Sequence, residues 1–251
     1  MNNYKYLTEN IIAHRGVHYE YMENSLKAFR EATLKKYIIE LDVHLKRDKK
    51  IVVYHDFNLK RLTGKNIEIE NTTYKEIKKI INIPTIEEVL KLVKGRTPII
   101  IETKVIKVGE LERILSNILN NYNGRIAIQS FNYKSLLWFK KHHPNYPRGY
   151  LINSFISHNL FIRYLLNNKL LNKLIKPTYI GINLDYLKNK KIIKLRSKYL
   201  IIGYTINNES EYNKYIGYSN NLICNIKKNP YIKELNKNKE TDPLRTVSQK
   251  E

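Results

Sequence analysis

Short apolar, β-branched runs alternate along the chain with stretches in which apolar residues recur at helical spacing. The clearest runs are Ile11–His14, Ile38–Val43, Pro98–Glu102 and Arg125–Ser130. Weaker ones follow at Arg148–Ile152, Thr178–Asn183, Leu200–Thr205 and Asn221–Asn225. Between them, Leu26, Phe29 and Leu34, and later Ile86, Val89, Leu90 and Val93, sit where one helical face would gather them. Asn24-Ser25 predicts the start of the first of these helices. Pro84-Thr85 predicts the start of the second, with Glu87 and Glu88 suited to its first turn. Strict alternation of strand and helix implies parallel strands with right-handed crossovers. Eight such units predict an α/β fold, a (β/α)8 TIM barrel, with a small insertion after strand 2. A doubly wound open sheet would favour a glycine-rich phosphate loop after its first strand, and the isolated Gly16 does not supply one. Residues 1–232 read as a single barrel domain, and residues 233–251 as a polar, disordered tail.

Composition narrows the picture. Hydrophobic residues make up 42% of the 251, which excludes wholesale disorder. A single cysteine, Cys224, excludes an intramolecular disulfide framework and a cysteine-rich zinc site. The first ten residues are polar, and no run of about 18 apolar residues occurs, so the expectation is a soluble, cytoplasmic protein. The formal net charge of +22 favours anionic partners such as phosphate esters or acidic membrane faces. The lysines are scattered rather than gathered in one arm, so no nucleic-acid partner is expected.

Chemistry in such a barrel sits where strands end, on the βα loops. The first predicted strand ends in His14-Arg15-Gly16. In the second, alternation puts Glu40 and Asp42 on one face, about 6.5 Å apart along the strand. The third ends in Glu102-Thr103-Lys104, and the apolar run Ile51–Tyr54 between these two strands leads into His55-Asp56. Carboxylates crowded inside a barrel repel one another and lose hydration, and a divalent cation relieves both costs. An all-oxygen set suits Ca²⁺ or Mg²⁺. Two histidines can act as general acid and base, and Arg15 and Lys104 can balance phosphoryl charge. The remaining histidines, His18, His44, His142, His143 and His158, read as surface residues, with His44 directed away from Glu40 and Asp42. Gln129 could reach the pocket or cap the barrel.

These motifs also form an ordered set. His14-Arg15-Gly16, Glu23-Asn24-Ser25 with Ala28-Phe29, Glu40-Leu41-Asp42-Val43, Asp48 and Val52-Val53-Tyr54-His55-Asp56 come first. Leu62-Thr63-Gly64, the run Ile83 to Leu90, Glu102-Thr103-Lys104, Ser130-Phe131 and Thr205-Ile206-Asn207 follow. From about Ile11 to Pro230 the chain resembles the glycerophosphodiester phosphodiesterase family. The resemblance implies a TIM barrel that hydrolyses small-molecule glycerophosphodiesters to glycerol 3-phosphate and an alcohol with one divalent ion. It implies His14 and His55 as the acid/base pair, Glu40, Asp42 and Glu102 as metal ligands, and Arg15 and Lys104 as phosphate contacts.

The chain departs from the family pattern at Lys46, Lys49, Tyr204 and Cys224-Asn225. None of these positions is expected to touch the metal or the histidines; they bear instead on the leaving-group pocket. The segment Asn159–Ile175 could form an apolar helical face. With the basic excess, that face supports a second reading: a lipid-active, phospholipase D-like or lysophospholipase D enzyme touching an anionic membrane peripherally.

Overall fold

Hydrogen-bonded pairing between parallel strands runs around a complete ring. In the computed structural model, which describes residues 4–19, 21–152 and 173–225, the strands are β1 (Ile12–His14), β2 (Ile38–Leu45), β3 (Ile51–Val53), β4 (Ile99–Thr103), β5 (Ile126–Ser130), β6 (Arg148–Ile152), β7 (Tyr179–Asn183), β8 (Leu200–Ile206) and β9 (Asn221–Cys224). All but β3 pair in parallel, and the β1–β2 and β1–β9 pairings close an eight-stranded barrel. Each of the eight strands predicted from the apolar runs is present. Most of the apolar helix-like segment at 159–175, and the tail from Lys233, lie outside the described residues.

Period-two alternation divides the core into two layers, because successive strand side chains point to opposite faces. Ile11, Ala13, Ile39, Leu41, Val43, Ile99, Ile101 and Ile128 face outward and pack beneath the helices. Ile12, Ile38, Ile100, Ala127, Tyr179, Ile202 and Ile223 face inward and fill the barrel floor with Tyr6 and Leu7 from the N-terminal segment. Space there is tight. A Cβ added to Gly149 would lie 2.1 Å from the Tyr179 ring, so the absence of a side chain in β6 admits the aromatic ring of β7.

The helices carry the punctuation expected of them. The first, α1 (Leu26–Leu34), begins at Ser25, whose hydroxyl accepts from the Ala28 N–H at 3.2 Å. The insertion after β2 holds β3 and the short helices α2 (Lys60–Thr63) and α3 (Tyr74–Lys78) before α4 (Ile86–Val93) resumes the alternation. Thr85 and Glu88 form a capping box at the start of α4. β3 pairs antiparallel to β2, with Val43 opposite Val53 and Leu45 opposite Ile51. The insertion has its own small core of Val52, Tyr54, Leu59, Ile69, Ile77 and Ile83. Lys46, one of the departures, is buried against it and donates to the Ile69 carbonyl and the Thr72 hydroxyl. Beyond β4 come α5 (Glu110–Leu119) and α6 (Tyr133–His142). Among the described residues, no helix is long and apolar enough to cross a membrane.

Candidate active site

The polar ends of β1, β2 and β4 converge at one mouth of the barrel. Glu40, Asp42 and Glu102 each offer an oxygen, and these oxygens lie within 4.8 Å of one another. Register explains the meeting: Asp42 is opposite Glu102, and Glu40 is opposite His14. All three carboxylates are buried. Burial pushes the Glu40 carboxyl well above its ordinary range, and the neighbouring Asp42 and Glu102 charges push it further. Burial likewise raises Glu102, to about 7, against the opposing pull of Lys104. Burial also works against ionised Asp42, yet Lys104, His55, Arg15 and an Asn24 hydrogen bond together hold it below the usual carboxylate range.

Two cations sit against this cluster. The Lys104 ammonium pairs with Glu102 and lies 3.2 Å from Asp42. Burial opposes its charge, but the two acids outweigh burial and raise it. Arg15 reaches the site because the chain leaves β1 through two residues of positive φ, Arg15 at 55° and Gly16 at 80°. Gly16 is needed there: a Cβ would lie 2.9 Å from the Ala28 carbonyl carbon. The turn brings the Arg15 N–H to Glu40 at 3.2 Å and its guanidinium to Asp42 at 3.5 Å and Glu23 at 2.8 Å.

The histidines are held by different partners. His55 Nδ1 lies 2.6 Å from Asp56 Oδ1, and His14 Nδ1 lies 2.6 Å from Asn225 Oδ1. Asn225 Nδ2 donates to Asn207 at 2.7 Å, which turns the amide oxygen toward His14. Each partner oxygen favours the proton on Nδ1 and leaves Nε2 as the exchanging nitrogen. Burial, with help from Arg15, lowers His14 to about 3; burial also lowers His55, against the Asp42 charge.

The donor set fits a hard divalent cation. It consists of oxygen ligands only, and two of the three acids, crowded and buried, resist ionisation even with Lys104 beside them. One family model, described as the Glycerophosphoryl diester phosphodiesterase family, matches residues 14–224. The chain belongs to this family.

Its relatives of known structure share the barrel. The chain is 35% identical over 159 residues to the glycerophosphodiester phosphodiesterase of Caldanaerobacter subterraneus subsp. tengcongensis, covering 56% of this chain and 65% of the relative. It thus spans just under two thirds of such curated relatives. The structure of the Thermotoga maritima glycerophosphodiester phosphodiesterase superposes with a TM-score of 0.74 at 26% identity, covering 86% of this chain and 95% of that one. An Oleispira antarctica phosphodiesterase, solved with the product sn-glycerol-3-phosphate, shares the fold with a TM-score of 0.76 at 22% identity, over 88% and 94% of the two chains.

Within this glycerophosphoryl diester phosphodiesterase barrel, several site residues escape a reading of the sequence. Asn225 is a departure expected to leave the histidines untouched, and it contacts His14 directly. Its position two residues beyond inward-facing Ile223 carried the signal. Gln129 does reach the pocket, donating to Glu40 at 3.0 Å and accepting from the Tyr179 hydroxyl at 3.0 Å. Asn24, read as a helix start and as part of the Glu23-Asn24-Ser25 motif but given no role in the site, has a φ of 56° and donates to Asp42 at 2.9 Å. His44 is a correction. It is fully buried rather than on the surface, because 40, 42 and 44 share strand parity; its ring meets Phe57 edge-on and its Nε2 lies 3.3 Å from the His55 carbonyl. His158 lies outside the described residues.

Proposed function

We propose that this protein hydrolyses glycerophosphodiesters to glycerol 3-phosphate and an alcohol, with a divalent cation held by Glu40, Asp42 and Glu102. The observation that carries the reading is the convergence of three buried carboxylates with two cations beside two partnered imidazoles. When bound, the cation supplies Lewis-acid stabilisation of the charge that builds on the phosphoryl oxygens. Arg15 and Lys104 donate to those oxygens and orient the diester. Of His14 and His55, one accepts a proton as the new oxygen–phosphorus bond forms. The other returns a proton to the alkoxide as its bond to phosphorus breaks, so the sum is addition of one water. Asn225 and Asp56 hold the two rings in the tautomer that leaves Nε2 free for this exchange.

Ca²⁺ and Mg²⁺ both suit the oxygen set. The test is release of the phosphomonoester, glycerol 3-phosphate from glycerophosphodiesters and its acylated form from lysolipids, across a panel of both with each metal and with chelator. Turnover of the water-soluble diesters, lost on chelation and restored by a divalent ion, is the expected result. Hydrolysis indifferent to chelation would contradict the metal's role, and turnover of lysolipids alone would favour the lipid-active reading.

A further inference from the structure

One cation of the insertion is not a member of the site, yet it ties two members together. Arg61 lies on α2, between Leu59 and Leu62 of the insertion's own apolar cluster, so its backbone is anchored independently of the barrel. Its Nε donates to Asp56 Oδ2 at 2.7 Å, and its terminal nitrogens hold both oxygens of Glu23 at 2.5 and 3.0 Å. Asp56 uses its other oxygen for His55, and Glu23 shares an oxygen with Arg15. Nitrogen donors and carboxylates therefore alternate along one chain of contacts: His55, Asp56, Arg61, Glu23, Arg15, Asp42. Arg61 is the only member of that chain held by the insertion helix, and its planar fork is what permits two acids to be gripped at once.

We infer that Arg61 is a positioning residue that sets His55 through Asp56 and Arg15 through Glu23, locking the acid/base ring and the phosphate contact into a common geometry. Its guanidinium touches neither the carboxylate cluster nor a reacting atom. Without it, Asp56 and Glu23 keep their charges but lose the shared partner that aims them. Lysine preserves the charge without the fork and cannot replace it. The inference rests on the phosphodiesterase reading for its kinetic arm, and on the histidine ring alone for its spectroscopic arm.

The test compares wild type, Arg61→Ala, Arg61→Lys, Asp56→Asn and Glu23→Gln. Wild-type turnover of a glycerophosphodiester checks the underlying reading by itself. With that turnover present, Arg61→Ala should lower kcat and raise KM, together costing on the order of 10- to 100-fold in kcat/KM, the range for outer-shell partners. Arg61→Lys should recover little, and added guanidinium ion should recover part of the Arg61→Ala loss. Asp56→Asn should fall mainly on kcat and Glu23→Gln mainly on KM. Each double variant with Arg61→Ala should lose less than the sum of its singles. Imidazole nitrogen NMR at fixed pH should show the His55 ring losing its single tautomer in Arg61→Ala, whether or not the protein turns over substrate. Melting curves verify that the variants are folded. Additive losses, full function in Arg61→Lys, or an unchanged His55 spectrum in a folded Arg61→Ala would overturn the inference.

Discussion

The barrel interior changes character within two residues. On its floor stand Ile12, Ile38, Ile100, Ala127 and Ile223, all buried and apolar. Two positions further along the same strands, or just past their ends, stand His14, Glu40, Glu102, Gln129 and Asn225. One strand pleat, about 6.5 Å of rise, separates a layer that stabilises the fold from a layer that opposes it. The floor removes apolar surface from water. The mouth buries like charges, and at Glu40 and Glu102 the ionised form is strongly disfavoured. Stability and chemistry are thus assigned to different heights of the same strands, and substitutions at the two heights should act on different observables.

The largest effect belongs to the floor. Ile100→Ala should cost about 2–5 kcal/mol in a denaturant titration, since it leaves a cavity in a fully buried layer. The fraction still folded should turn over diester nearly as wild type does. A variant as stable as wild type, or one that is folded and inactive, would break the division between the layers. At the mouth, His14→Ala and His55→Ala should each lower turnover by about 100-fold or more while moving the melting temperature little. A near-normal rate in either would remove that ring from the proposed mechanism.

A smaller effect tests the electrostatic half. The Glu102 carboxyl is raised by burial to about 7, above its ordinary value near 4.5, so the metal-free folded protein binds a proton there that the unfolded chain has released. This contribution is fully present below about pH 4.5 and is lost as pH rises through 7. Metal-free protein should therefore melt lower at pH 8 than at pH 6, and Glu102→Gln should flatten that slope. An unchanged slope in the variant would mean that the acid is relieved by something other than protonation.

The same two layers explain what could be read from the chain. Repetition carries the fold: the barrel strands are short apolar runs that alternate with helical stretches, so eight weak signals reinforce one another. The carboxylates were legible because Glu40, Asp42 and Glu102 interrupt those runs at places where a charge is costly. Residues that support them were harder to see. Gln129 and Asn225 are polar residues at strand ends, an ordinary place for them, and only the register brings one to Glu40 and the other to His14. Asn24 and Arg61 lie in loops and a short helix whose course no periodicity specifies; their partners lie 18 and 38 positions away along the chain for Asp42 and Glu23. His44 shows the opposite failure, since parity was informative there and places it inside.

The most direct test of the central claim is the melting temperature of chelated protein before and after addition of Ca²⁺ or Mg²⁺ at pH 8. An ion at about 100 times its dissociation constant stabilises the folded state by about 2.7 kcal/mol, which for a chain of this size corresponds to roughly 5–10 °C. That rise is the expected result, with a smaller one in Asp42→Asn. No shift with either ion, or an equal shift in Asp42→Asn, would contradict a cation site built from Glu40, Asp42 and Glu102.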